Sequence, residues 1–153
     1  MDKPFTLRAY TPEDCAQMAQ LFYDTVHTVC LGDYTGEQLD VWATGSVDIE
    51  RWNKKFLANH TVVAVSGQTI VGYGDMESGG YLDFLYVHKD WQRKGVATAI
   101  CNALEGSAKA ERLSVHASVT ARPFFEKRGY NVIKEQTVYC GGVPLTNFVM
   151  DKL

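Results

Sequence analysis

The chain lacks most of the devices that would place it at a glance. It has no run near the ~18 consecutive apolar residues that a membrane-spanning helix needs. Its opening stretch, MDKPFTLRAY, carries no apolar core of the kind found in a secretory leader. No cysteines stand at CxxC spacing. Cys15, Cys30, Cys101 and Cys140 each sit in an apolar neighbourhood, where a free cysteine behaves as a small buried hydrophobe. A reducing, cytoplasmic setting is therefore expected. Positive charge is not in excess, the net charge being −3, so neither nucleic acid nor an anionic membrane is an expected partner. No cluster of His, Cys, Asp and Glu has metal-ligand spacing, so no metal is expected. The nucleotide-binding patterns GxGxxG and GxxxxGK(S/T) are absent, as are repeats, linkers and low-complexity segments.

What is present is an ordinary globular composition, 46% hydrophobic and 22% charged over 153 residues. That length suits one domain spanning residues 1–153, and such a chain buries roughly 70% of the surface its unfolded form exposes. Phe5 to Tyr10 alternates apolar and polar as a short strand does. Thr11-Pro12-Glu13-Asp14 is a helix start, with a cap, a proline in the first turn and two acids at the positive dipole end. Cys15, Met18, Ala19, Phe22 and Val26 follow at helical spacing. A second helical segment begins near Tyr34, is interrupted at Gly45-Ser46, and resumes from Asp48 to Leu57. Thr61–Val65 and Thr69–Gly74 flank Ser66-Gly67 as a hairpin, and Gly79-Gly80 turns the chain into a third strand. The full order reads β-α-α-β-β-β-α-β-α-β-β. This is an α/β class with a mixed, mostly antiparallel sheet flanked by helices.

The centre of the chain is Tyr81 to Leu104, YLDFLYVHKDWQRKGVATAICNAL. An apolar strand, Tyr81 to Val87, carries one carboxylate, Asp83. A polar loop then holds Gln92-Arg93-Lys94-Gly95-Val96-Ala97, and a helical pattern starts at once. Strand, glycine-bearing loop and helix N-terminus together offer unpaired backbone amides and a positive dipole end to a phosphate. The side chains of Arg93 and Lys94 either reach that phosphate or stay in solvent.

Leu85-Tyr86-Val87, the spacing to Gln92–Ala97, and the helix after it resemble the acetyl-CoA motif of the GNAT superfamily of N-acetyltransferases, Gln/Arg-x-x-Gly-x-Gly/Ala. Downstream, Ala121-Arg122-Pro123-Phe124-Phe125-Glu126-Lys127-Arg128-Gly129-Tyr130 is similar to that family's AxxFYEKxGF segment. Tyr34-Thr35-Gly36-Glu37-Gln38 resembles a YSxEQ-like segment of a branch of small bacterial members. The resemblance implies the GNAT acyltransferase fold and a co-substrate, acetyl-CoA. It also implies that the backbone amides of Arg93, Lys94, Gly95, Val96, Ala97 and Thr98, beside Gln92, hold the pyrophosphate. The strand Leu85-Tyr86-Val87 would pair with the pantetheine arm beside a bulge that splays the sheet, and the Leu85 amide would polarise the acetyl carbonyl. Ser118 falls where many members place a coenzyme-contacting asparagine. Phe124 and Phe125 would wall the pantetheine, and Lys127 would reach the 3′-phosphate. A cap residue and core aromatics are the structural alternatives for Ser118 and Phe124.

The implied reaction moves acetyl to an amine, which attacks only after losing a proton. Asp83 is the leading base. Strand alternation places it on the same face as Leu85, and family members often carry a base there. The alternative is a structural aspartate satisfied by backbone amides or by Arg8. His116 is a rival base. The family tyrosine credited with protonating the departing thiolate is replaced here by Phe125, which leaves Tyr130, Tyr139, Tyr86, Ser118 or a water. Tyr34, Trp42 and Tyr81 are candidate pocket residues for a small-molecule amine, with core packing as the alternative for the first two. A peptide or protein acceptor, or an acetyl-CoA sensor without turnover, are the competing readings. Dimers are common in the resembled family, so a homodimer is also an expectation.

Overall fold

The computed structural model describes residues 4–153; the first three residues of the stretch read above for a leader lie outside them. Strand β1 (Thr6–Ala9) leads through one 3-10 turn, Pro12–Asp14, into α1 (Cys15–Val29), α2 (Gly36–Trp42) and α3 (Ile49–Ala58). Then come β2 (His60–Ser66), β3 (Thr69–Met76), β4 (Tyr81–Val87), α4 (Val96–Ser107), β5 (Leu113–Ser118), α5 (Arg122–Lys127), β6 (Asn131–Cys140) and β7 (Val143–Lys152). The second helical segment of the sequence reading is thus two helices, α2 and α3. Ala43 and Asp48 both adopt extended backbone between them.

The helix starts follow their local chemistry. Asp14 accepts from the Thr11 amide at 2.9 Å, closing a capping box. Arg8 then grips the Asp14 carboxylate through two bonds of 2.8 and 2.9 Å, which holds that carboxyl below its ordinary value. Thr35 and Gln38 form a second reciprocal box at 3.1 and 2.8 Å, and Asp48 accepts from the Arg51 amide at 3.1 Å.

The seven strands lie in the order β1-β2-β3-β4-β5-β7-β6, and only β4 and β5 run parallel. One face of the sheet is covered by α4 and α5, with Val96, Ile100, Leu104 and Phe125 packed among Val71, Leu82, Val115 and Met150. The other face meets α1 and α3 through Met18, Leu21, Phe56 and Tyr73. Phe22, Tyr34 and Leu39 join α1 and α2 to Leu145 of β7. Large apolar side chains buried this way contribute about 1.5–3 kcal/mol each. Helix α4 comes close because β3 is bare where they meet. A Cβ on Gly72 would stand 2.6 Å from Val96 Cγ1.

Two irregularities decide what the sheet can do. Opposite β3 the register runs from Asp75–Phe84 directly to Met76–Leu82, so Asp83 is an extra residue, a β-bulge. Among the described residues, β4 and β5 pair only at Tyr81–Ser114 and Leu82–Val115. Beyond Leu82 the two strands diverge, and the sheet opens in its middle.

Three of the cysteines are buried as expected, but Cys140, at the β6–β7 turn, is exposed. Its thiol donates to the Val41 carbonyl at 3.0 Å. The apolar neighbourhood that suggested burial is an edge strand with one side in solvent. Among the described residues no helix is long and apolar enough to cross a membrane.

Candidate active site

The divergence of β4 and β5 creates a cleft of about 770 Å³. It runs from the loop before α4, between the splayed strands, to a wall formed by α1, α2 and the β6–β7 hairpin. Of the sequence candidates, Asp83, Leu85, Tyr86, Val87, Gln92, Arg93, Gly95, Val96, Ala97, Thr98, His116, Ser118, Phe124, Phe125, Tyr34 and Trp42 all line it.

The loop end is built from backbone. Arg93 and Gly95 both take left-handed φ, 61° and 84°, on either side of Lys94. Such alternation turns neighbouring amides toward a common point, an anion-binding nest. The first amide bonded into α4 is that of Ala99, which donates to Gly95 at 3.0 Å. Val96, Ala97 and Thr98 precede it, at the positive end of a 12-residue helix. No atom would lie within 4 Å of a Cβ at Gly95, so glycine serves the backbone angle there and not close packing. Gln92 ties the loop to the strand by donating from Nε2 to the Val87 carbonyl at 2.8 Å, and Thr25 of α1 donates to the same oxygen at 2.9 Å.

Backbone alternation tells which way the β4 amides point. The Phe84 amide donates toward β3, to Asp75 Oδ1, and the His88 amide donates to Val71 of β3. Successive amides of an extended strand point to opposite edges. The Leu85 and Val87 amides therefore face the opened edge.

The bulge changes the expected disposition of Asp83. Simple alternation put it on the same face as Leu85. The extra residue breaks that period: Leu82, Leu85 and Val87 all pack on the α4 face, whereas Asp83 turns to α3, with Oδ2 3.1 Å from Lys55 Nζ. Its cation is Lys55, while Arg8 is engaged by Asp14. Lys55 also donates to Asp75 Oδ2 at 2.5 Å and lies 3.5 Å over the Phe84 ring. Asp75 is fully buried and accepts from Asn59 at 3.0 Å as well. Burial pushes its carboxyl up, and Lys55, Asn59 and the Phe84 amide pull it only part of the way back.

Five candidates stand elsewhere, among them Tyr139, which is exposed on β6 and does not line the cleft. Tyr130 is buried against Phe125, and its hydroxyl donates to Glu105 Oε2 at 2.9 Å, outside the cleft lining. Lys94 and Lys127 are exposed and do not line the cleft. Tyr81 lies where β4 and β5 still pair, below the opening. Its ring packs edge-on to His116 at 5.1 Å, and burial raises its phenol to about 12. Tyr34 lines the cleft but has a committed hydroxyl, donating to the Thr146 carbonyl at 2.7 Å and accepting from the Val119 amide at 2.9 Å. Ser118 Oγ accepts from the Ala121 amide at 3.0 Å and so caps the turn into α5.

The sequence reading passed over Lys55, Asp75 and Asn147. Asn147 lines the cleft, and its Oδ1 is buried with no hydrogen-bond partner among the described residues. The aspartate inside the β3 run was a visible signal. Lys55 and Asn147 gave none, because their significance lies in which strand or helix faces them. No three His, Cys, Asp or Glu side chains converge as a metal set among the described residues.

A sheet opened between parallel strands beside an amide-lined helix start suits an extended ligand that carries a phosphate, and comparison gives the family. Residues 30–152 match the acetyltransferase (GNAT) domain model, and the chain belongs to that family of enzymes. It is 35% identical to the Escherichia coli K12 protein YafP, described as an uncharacterised N-acetyltransferase, over 94% of this chain and 93% of that one. The structure superposes on a GCN5-related N-acetyltransferase from Rhodopseudomonas palustris with a TM-score of 0.93 and 34% identity, covering 99% of this chain and 96% of that one. The fold is shared also with the PaiA N-acetyltransferase of Thermoplasma acidophilum, solved with coenzyme A, at a TM-score of 0.80, 16% identity and 99% coverage of both chains.

Proposed function

We propose that residues 1–153 form one domain that moves acetyl from acetyl-CoA to the primary amine of a small molecule, both held in the cleft at once. The observation that carries this reading is the continuity of the cleft. One cavity joins the amide nest at Gly95, the opened edge of β4, Asp83 and the aromatic wall of Tyr34 and Trp42.

The residues present fit the coenzyme. The amides of the 93–98 loop suit a diphosphate, and the Leu85 and Val87 amides at the opened edge suit the amide groups and thioester carbonyl of an extended arm. When bound, acetyl-CoA supplies an activated acetyl thioester. The chain's part is to bind, orient and handle protons. Asp83 accepts the proton that an ammonium must lose before its nitrogen lone pair can attack, a role worth about 10²–10⁴-fold in rate. The Leu85 amide is directed at the developing carbonyl charge. Of the tyrosines on the cleft wall, Tyr34 has spent its hydroxyl. Tyr86, beside Trp42, is a poor proton donor because burial raises its phenol, so the thiolate, a fair leaving group at an ordinary thiol pKa of about 8.5, takes its proton from water.

The test is release of free thiol from acetyl-CoA across a panel of small primary amines. At least one should turn over, and Asp83→Asn should abolish that turnover while coenzyme affinity, measured by calorimetry, is kept. Turnover on peptides alone, or tight coenzyme binding with no turnover on any amine, would overturn the proposal.

A further inference from the structure

The bulge on β4 is closed by a circuit of side chains that returns to the strand where it began. The Phe84 amide, freed from the ladder by the extra residue, donates to Asp75 Oδ1 at 2.9 Å. Asp75 Oδ2 accepts from Lys55 Nζ. Lys55 Nζ stands 3.1 Å from Asp83 Oδ2, one residue before the amide that started the path. Asp75 is fully buried, and the side chains of Lys55 and Asp83 retain about a quarter of their exposure, 24% and 26%. The ammonium is further fixed over the ring of Phe84, a cation–π contact. Two carboxyl groups share one lysine.

From this circuit we infer that Lys55 is a positioning residue for the transfer reaction: it orients the Asp83 carboxylate on the bulge, with Asp75 as the buried anchor that fixes Lys55. The inference rests on the reading of Asp83 as the base. A flexible aspartate beside an aromatic wall could turn away. A cation at hydrogen-bond distance opposes that turn. Among the described residues, the other groups around Asp83 do not offer a second lysine or arginine at this distance. β3 presents Asp75, and β4 itself presents Tyr81 and Tyr86. α1 brings Phe22 and Thr25 to β4, α4 brings Val96 and Ile100, and His116 of β5 lines the same cleft.

The experiment compares Lys55→Gln and Lys55→Arg with the unaltered protein. Two readouts are used: a carbon-13 titration of the Asp83 carboxyl, assigned by its loss in Asp83→Asn, and the pH dependence of kcat/KM for acetyl transfer. In Lys55→Gln the carboxyl titration should move to higher pH, and the acid limb of the rate profile should move with it. The rate should then fall more at about pH 6 than at about pH 8. Lys55→Arg should restore both, since it keeps the charge. Calorimetric affinity for coenzyme A and a thermal melt report whether the variants remain folded. A titration that stays in place, or a rate lowered equally at every pH and not rescued by arginine, would overturn the inference. A titration that moves while the acid limb stays would instead overturn Asp83 as base and leave the Lys55–Asp83 linkage standing. The titration needs no turnover, so it decides the linkage even if no amine in the panel is acetylated.

Discussion

The loop before α4 and the bulge on β4 lie a few residues apart and treat backbone donors in opposite ways. The loop leaves them open. Left-handed turns at Arg93 and Gly95, and a helix whose first amides precede Ala99, present N–H groups that have no backbone acceptor among the described residues. The bulge closes them. One amide loses its place in the ladder, and a buried aspartate, a lysine and an asparagine are recruited to satisfy it and each other. An open donor set waits for an anion, and a closed one holds a side chain in a fixed place. On the proposed function the first serves binding and the second serves chemistry.

Breaking the closed set should cost the most. Asp75→Ala would leave the Phe84 amide without its acceptor and Lys55 with Asp83 as its remaining carboxylate, a loss of about 3 kcal/mol of stability by the usual toll for breaking a buried polar pair. Denaturant midpoints with an unchanged slope would measure it. Gly95→Glu attacks the open set instead. A left-handed φ of 84° strains any residue with a Cβ by about 1–2 kcal/mol, and the added carboxylate repels a diphosphate. Coenzyme affinity by calorimetry should fall about a hundredfold or more, roughly 2.7 kcal/mol, while the strain lowers the melting temperature by about 2–8 °C. Unaltered affinity would remove the loop from the site.

Gly72→Ala tests the seat shared by both regions. Its Cβ would meet Val96 Cγ1 at 2.6 Å, pushing the start of α4 off β3. Overpacking of this kind costs about 1–3 kcal/mol, and a lowered melting temperature should accompany weaker coenzyme binding. The smallest effect is expected from Gln92→Ala. It removes one tie between loop and strand, the 2.8 Å bond to Val87, whose carbonyl keeps Thr25 as a donor. A loss of about 1 kcal/mol in coenzyme affinity fits a single neutral bond. A loss as large as that of Gly95→Glu would mean that Gln92 shapes the nest itself.

Much of this was legible before any coordinates. Thr11-Pro12-Glu13-Asp14 announced its helix by cap chemistry, and the Ser66-Gly67 turn announced the β2–β3 hairpin. The chain segment from Gln92 to Thr98 could be read as an anion loop because its geometry depends on near neighbours. The Asp83 assignment shows the limit. Period-two reasoning placed Asp83 with Leu85, and one bulged residue reversed it. A bulge is a property of the pairing between two strands, which neither strand declares alone. Tyr130 misled for a related reason. It was one of several stand-ins for the tyrosine that Phe125 replaces, but it lies in the core, where Glu105 takes its hydroxyl.

The sequence by itself determined the elements, their order and the amide loop at Gly95, because helix caps, turns and left-handed residues are settled within a few residues of chain. Tertiary structure alone decided where the charges meet. The opening between β4 and β5, the turn of Asp83 toward α3, and the bridge from Lys55 to two carboxylates exist only once distant segments are in register. Burial then makes each of those polar groups depend on the others.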